Sequence, residues 1–343
     1  MEELKILIRV EGGAERGIGQ VIRTLTLVDG LASDYAIKTL FVLQGNDMVQ
    51  RYIGSKGHDV IAEEHDNGTE QFCGLLESFK PDLIINDHGD TPARLGGIIE
   101  ESTAFSLTLD DRGDGRIGYT VVINAMFQTI DSWAPNGDDV AYSGSFYMVL
   151  QPEFGKLGNK VIKEEPERLL ITFGGSDPQH LTTKVLDVLQ GLEKELELIV
   201  VDGPFFLNEG RLAEKVQEVR ENGHKVTVLE DVTDMAGVMA DVDLAISGGG
   251  ITLFELAASG TPTGVICEHA DQNIIADRFA SLGAVINFGL GDRFAPNYFL
   301  SAIENLLADP ERRENISKKG RELVDGKGRE RVLQIIKAGL QED

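Results

Sequence analysis

The stretch Ser247-Gly248-Gly249-Gly250-Ile251-Thr252-Leu253-Phe254-Glu255-Leu256-Ala257 decides how this chain is read. It follows the short apolar run Asp243-Leu244-Ala245-Ile246 and leads into an apolar-periodic segment, Ile251 to Ser259. The order is strand, glycine turn, helix. Consecutive glycines free the backbone to take positive φ and let a ligand approach the main chain closely. The first N–H groups of the helix have no partner within it and carry the positive end of its dipole. Such a turn suits an anion, most often phosphate. The competing reading is a tight strand-to-helix connection that holds nothing.

Two further glycine turns follow strand-like runs. Leu4 to Val10 precedes Glu11-Gly12-Gly13-Ala14-Glu15-Arg16-Gly17-Ile18-Gly19-Gln20, and Leu169 to Phe173 precedes Gly174-Gly175-Ser176-Asp177-Pro178. Beyond the first turn, Ile18, Val21, Ile22, Leu25, Val28 and Leu31 recur at three- and four-residue steps, which predicts an amphipathic helix. Strand-like runs at Thr39–Leu43, Leu83–Asn86, Phe105–Leu109 and Val121–Asn124 alternate with helical ones. The rhythm breaks near Phe146 to Gly158 and at Lys163-Glu164-Glu165-Pro166. It restarts with strands at Leu169–Phe173, Leu196–Val201, Lys225–Leu229, Val242–Ile246 and Thr263–Cys267, and the tail from Pro296 to Gln341 reads as helical. Alternation of this kind predicts parallel sheets wrapped by helices. The expected division is an α/β domain over 1–160, a second over 167–320, and a C-terminal helix over 321–343, with a cleft between the two domains. Open α/β sheets bind ligands beyond the carboxyl ends of their strands, where all three turns fall.

Composition narrows the function. The 343 residues hold 32 Lys and Arg against 57 Asp and Glu, a net charge of −25. A surface of that sign repels nucleic acid and anionic lipid. An acidic chain that binds phosphate must use local N–H groups. No apolar run approaches the roughly 20 residues of a bilayer span. Met1-Glu2-Glu3-Leu4-Lys5 lacks the basic region and apolar core of an export signal. Cys73 and Cys267 stand far apart, outside any Cys-x-x-Cys motif or Cys/His cluster. Both points lead us to expect a cytoplasmic protein without a zinc site. The turns match neither the dinucleotide fingerprint nor the P-loop motif, which argues against a dehydrogenase or a P-loop NTPase.

The combination resembles the GT-B architecture, two Rossmann-like α/β domains facing across a cleft. It resembles most the nucleotide-sugar hydrolase of pseudaminic acid biosynthesis and the spore-coat polysaccharide synthesis proteins. The likeness runs through Arg9, the turn Gly17-Ile18-Gly19-Gln20-Val21-Ile22-Arg23, Ile85-Asn86-Asp87-His88-Gly89, Leu109-Asp110-Asp111, Ile123-Asn124-Ala125 and Ser143 to Leu150. It continues through Phe173 to Pro178 and Ser247 to Glu255. More distantly, Gly249, Gly250, Ile251, Thr252, Glu255 and Asp271-Gln272-Asn273 resemble the peptidoglycan N-acetylglucosaminyltransferase that makes lipid II.

The resemblance implies that the second half holds UDP as part of a small-molecule nucleotide sugar, with no cofactor of its own required. Gly249, Gly250, Ile251 and Thr252 would meet the phosphates, Gly174, Gly175 and Ser176 would approach from another turn, and Glu255 would take the ribose hydroxyls. Asp271, Gln272 and Asn273 would lie near sugar or phosphate, unless Asp271 simply caps its helix. In the first half, Gly17 and Gly19 would form the turn. The family's catalytic histidine is replaced by Gln20, whose carboxamide orients water but exchanges no proton near neutral pH. A tyrosine expected after Asp-His is Gly89. Asp87, His88 and Asp111 remain as candidate catalytic groups beside Gln20, each with a structural alternative in a hydrogen-bonded or salt-bridged strand end; His58 and His65 sit in a loop. Three functions stay open: hydrolysis that releases UDP, transfer to an acceptor hydroxyl, and nucleotide-sugar binding without catalysis. A sugar-phosphate epimerase of the same architecture is a weaker fourth.

Overall fold

The computed structural model describes residues 3–13, 17–64, 68–126, 140–206 and 209–341. The chain divides into two units, Met1–Gln151 with Lys327–Asp343, and Pro152–Gly326. The sequence placed the boundaries at 160/167 and 320/321. His65 and positions 14–16 of the first glycine turn lie outside the described residues.

Unit 1 runs β1 Leu4–Gly12, α1 Gly19–Ala32, β2 Ile37–Gly45, α2 Asp47–Ser55, β3 Asp59–Ala62, α3 Gly68–Phe79, β4 Leu83–Asp87, α4 Ala93–Glu100, β5 Phe105–Leu109, β6 Val121–Asn124 and β7 Val140–Ser143. Its seven strands pair in the order β3-β2-β1-β4-β5-β6-β7, all parallel. Central strands are covered on both faces, so they read as unbroken apolar runs. Leu83-Ile84-Ile85-Asn86-Asp87 is buried at every position, and Val121-Val122-Ile123-Asn124 likewise.

Unit 2 runs β8 Arg168–Thr172, α5 Leu181–Leu189, β9 Glu197–Val201, α6 Glu209–Glu221, β10 Lys225–Leu229, α7 Met235–Asp241, β11 Leu244–Ser247, α8 Ile251–Ser259, β12 Thr263–Cys267, α9 Ala270–Ser281, β13 Ile286–Leu290, α10 Pro296–Ala308 and α11 Pro310–Leu323. Its six strands order as β10-β9-β8-β11-β12-β13, again all parallel. Both sheets thus reverse their winding beside the first strand, between β1 and β4 and between β8 and β11. Ligands of open α/β sheets settle at such switch points.

The sequence missed β3, β7 and β13. All three are edge strands, where one side lacks a neighbour and an unbroken apolar run is not required; β3 and β13 contain no fully buried residue beyond Ile286. The helical tail breaks into three pieces. Asp309 ends α10 and accepts from Arg312 N–H (2.9 Å) to cap α11, with Pro310 preset at the first helical position. The last helix, α12 (Gly328–Gly339), returns to unit 1. It lies on α1 so closely that a methyl group at Gly30 would stand 2.5 Å from Leu333 Cδ1, and Arg329 Nε donates to Thr26 O (3.0 Å).

One clamp in unit 2 is built from a single side chain. Arg313 is 1% exposed. Its Nη1 donates to Leu306 O (2.7 Å) and Leu307 O (2.5 Å), two carbonyls at the end of α10. Its Nη2 donates to Lys163 O (2.7 Å) and Glu164 O (2.9 Å) in the charged connecting segment.

Candidate functional site

In unit 2 the glycine turns converge at the switch point. Gly174 follows β8 with φ +80, a left-handed value that glycine takes without strain. A methyl group there would lie 3.8 Å from Thr252 Oγ1 in the first turn of α8. The β8 and β11 turns are therefore neighbours, as the sequence reading requires. Gly203, after β9, backs the same turn: a methyl group on it would fall 2.4 Å from Gly174 O. Phe205 N–H closes the contact on Gly175 O (2.8 Å). Ser176 is buried in the turn. Asp177 accepts from Leu181 N–H (2.7 Å) and Thr182 N–H (2.9 Å), so it anchors the start of α5.

The Gly248–Gly250 turn packs against α9. A methyl group at Gly249 would stand 2.8 Å from Gln272 O and 3.0 Å from Cys267 Sγ. Gln272 turns its carboxamide toward the same turn, with Nε2 3.7 Å from a Gly250 methyl and Oε1 3.8 Å from a Gly248 methyl. Its Oε1 also accepts from Glu268 N–H (2.9 Å). Gly250 is the N-cap of α8, so no side chain occupies the exposed N–H groups of Ile251 and Thr252. Those groups stay open to an anion.

Glu255 sits one turn into α8, and burial pushes its carboxyl up to about 7. Neighbouring Phe254 and Leu256 are fully buried. Asn273 is held by groups outside this cluster. The N-cap of α9 is His269, so Asp271 lies within the first turn and does not cap it. Asn273 Oδ1 accepts from Asn287 Nδ2 (3.1 Å), and Asn273 Nδ2 donates to Asp277 Oδ2 (3.0 Å). Asn273 is thus engaged with β13.

In unit 1 the candidate groups meet at the ends of β1, β4 and β5. Arg23 is buried and forks onto two acids. Its Nε donates to Asp87 Oδ2 (2.7 Å), Nη2 to Asp87 Oδ1, and Nη1 to Asp110 Oδ2 (2.5 Å). Burial pulls the guanidinium down, but the Asp87 and Asp110 charges more than reverse this and hold it above its ordinary value. Burial pushes Asp87 up to about 6 against the pull of Arg23. Asp110 Oδ1 accepts from Ala125 N–H (2.7 Å) and Met126 N–H (2.8 Å).

Asp111 is fully buried, and its oxygens accept from Thr91 N–H (3.0 Å), Gly113 N–H (2.9 Å), Thr108 Oγ1 (3.1 Å) and Asn86 Nδ2 (3.2 Å). Four donors saturate it, and its geometry is that of a turn anchor. His88 is buried as well. Its Nδ1 accepts from Asp90 N–H (3.3 Å), which leaves the proton on Nε2, bonded to Gln44 Oε1. Glu11 Oε2 is 4.0 Å from that nitrogen, and Glu11 Oε1 accepts from Gly89 N–H (3.1 Å). A methyl group at Gly89 would stand 3.2 Å from Glu11 Oε1, so glycine leaves room for this carboxylate. Gln20 is half-buried in the first turn of α1, just past Gly17 (φ +75) and Gly19.

Glu11, Gln44 and Glu63 escaped the sequence reading. Glu63 pairs with Arg9 Nε (2.9 Å), and Arg9 Nη1 donates to Asn86 Oδ1 (3.3 Å). The available signal was position, since Glu11 and Gln44 stand at the carboxyl ends of adjacent strands.

Residues 169–329 match the model of the glycosyltransferase family 28 C-terminal domain. The structure of MurG from Acinetobacter baumannii superposes with a TM-score of 0.71 at 15% identity, covering 97% of this chain and 99% of that one. The fold is GT-B. The same GT-B fold appears in UDP-GlcNAc 2-epimerase from Neisseria meningitidis bound to UDP-GlcNAc, with a TM-score of 0.64 at 14% identity over 98% of this chain and all of that one. In sequence, the chain is 29% identical over 335 residues to the spore coat polysaccharide biosynthesis protein SpsG of Bacillus subtilis, covering 96% of each. The likeness to the spore-coat proteins and the two Rossmann-like α/β units expected from the sequence are both borne out. Among the described residues, no helix is long and apolar enough to cross a membrane.

Proposed function

We propose that this GT-B chain acts on a UDP-linked sugar in surface polysaccharide synthesis and breaks the bond between the diphosphate and the sugar. The observation that carries the reading is the convergence in unit 2 of Gly174, the Gly248–Gly250 turn, Thr252 and Gln272 at a switch point with an uncapped helix start. Backbone N–H groups there stabilise the leaving diphosphate, and preorganised donors of this kind supply the largest part of such catalysis. Glu255 takes the ribose hydroxyls. Water is the acceptor in the hydrolase form of the reaction. Asp87 with Arg23, and Glu11 beside the neutral His88 imidazole, are the polar groups of unit 1, while Gln20 orients the attacking oxygen.

Transfer to an acceptor hydroxyl is the second reading. The family 28 match favours it.

Titration calorimetry with UDP, CDP, GDP, TDP and ADP at one salt concentration tests the nucleotide half. We expect UDP to be preferred and its affinity to drop about tenfold in Glu255→Gln, the loss of one charge-assisted hydrogen bond or slightly more. Equal or absent binding of all five refutes the reading. UDP release from a UDP-sugar, with and without a sugar acceptor, then separates hydrolysis from transfer.

A further inference from the structure

Glu268 follows β12 directly and is bonded through its backbone to the same cluster, and one of its side-chain oxygens has no partner. Oε1 is shut off from solvent and accepts no hydrogen bond. The residue is fixed from both sides of its backbone. Its N–H donates to Gln272 Oε1 (2.9 Å), and its carbonyl accepts from Gln179 Nε2 (2.5 Å). Through Gln272 it stands one side chain away from the Gly248–Gly250 turn. A buried acceptor without a donor is costly, and a buried carboxylate without a cation more so.

Among the described residues, no positive charge acts on the Glu268 carboxyl itself. From the β8 turn, Asp177 faces Glu268 with a like charge, and His180 beside it acts on Asp177. Cys267, the last residue of β12, is pushed up to about 12 by burial and by Asp277 and Glu268, so it stays a neutral thiol. From α9, Gln272 is neutral and Asp277 acidic; His269 and Asp271 follow in the chain and are exposed. Asn287 of β13 is neutral. Burial, then Asp177, pushes the Glu268 carboxyl up to about 7, against the pull of a hydrogen bond with Gln272. An anion placed on the neighbouring glycine turn raises it further, because like charges disfavour ionisation.

We propose that Glu268 serves the site as a neutral carboxylic acid, and that binding of a nucleoside diphosphate in unit 2 takes up one proton there. On this reading the unpartnered, solvent-shielded oxygen is not left as a buried negative charge behind Gln272, where an ionised carboxylate repels the diphosphate. This rests on the nucleotide reading of unit 2.

UDP binding to the full chain is measured from pH 7.5 to 9, above the last ionisation of the diphosphate, in two buffers of different ionisation enthalpy. We expect affinity to fall by up to tenfold per pH unit, and a buffer-dependent heat that reports uptake of about one proton. Glu268→Gln, which keeps the shape and a permanent donor, flattens the pH dependence and abolishes the buffer-dependent heat. Glu255→Gln weakens binding and keeps both. Wild-type binding without proton uptake overturns the proposal and leaves the nucleotide reading standing. So does a pH slope that survives in Glu268→Gln or is lost in Glu255→Gln instead. No UDP binding by the wild type at any pH overturns both.

Discussion

Replacing Arg23 by methionine removes one cation from between two buried acids and keeps most of the side-chain volume. Asp110 retains its two backbone donors, Ala125 and Met126 N–H. Asp87 loses both of its Arg23 bonds, and Glu11 adds a like charge nearby. Taking one partner from a buried ion pair costs about 3–5 kcal/mol, chiefly through the charge left behind. We place Arg23→Met near the middle of that range at pH 8. The cost also acquires a pH dependence of defined sign. The Asp87 carboxyl, already raised to about 6 from 3.8 with Arg23 present, rises further without it. A group raised in the folded state binds its proton first in the folded chain, so it stabilises below the unfolded value and loses that contribution as pH climbs through the folded value. The Arg23→Met deficit is therefore largest above the higher value Asp87 takes without Arg23, shrinks as pH falls toward 6, and levels off below it. Urea unfolding of the full chain, followed by circular dichroism at pH 5.5, 7 and 8, measures it. Arg23→Lys, which keeps a charge but not the fork, should lose roughly half as much. A deficit below about 1 kcal/mol at pH 8, or one that is the same at pH 5.5, refutes the reasoning.

Two further outcomes test separate parts of the structure. Arg313→Met strips four carbonyls of their donor and should cost unit 2 about 3 kcal/mol, lowering its melting temperature by roughly 6–12 °C in calorimetry; a shift under about 2 °C sinks the clamp. Gly249→Ala drives a methyl group into Gln272 and Cys267 Sγ, so the turn must shift. UDP affinity in calorimetry should fall at least about tenfold, 1.4 kcal/mol, while the melting temperature moves less than in Arg313→Met; undiminished affinity would place the phosphates elsewhere.

The central strands were legible because burial on both faces makes most of their positions apolar, as in Ile6–Ile8 of β1, Leu83–Ile85 of β4, Leu169–Ile171 of β8, Leu244–Ile246 of β11 and Val265–Cys267 of β12. The edges were not, since Asp59–Ala62 mixes exposed and half-buried positions and Ile286–Leu290 is only half-buried beyond Ile286, patterns that resemble loop. At the site, sequence located strand ends and glycine turns but not what each side chain touches. Asp111 reads as a free carboxylate in the string Leu109-Asp110-Asp111. Its donors Thr91 and Asn86 lie 20 and 25 residues away. Glu11 was equally opaque, because its partner Gly89 is 78 residues on. The absence of a tyrosine at 89 looked like a lost reactive group; in the fold it is the space that Glu11 occupies.

The return of α12 to unit 1 means that the two units are not finished in the order in which they are begun. During synthesis, the whole of Pro152–Gly326 leaves the ribosome while α1 still lacks the helix that covers Gly30 and receives Arg329. Unit 2 is contiguous and can close on itself at once; unit 1 must wait, holding an apolar face open, until Leu333 arrives. Shortening the chain before Lys327 would thus harm the unit most distant in sequence and spare the one adjacent to the cut.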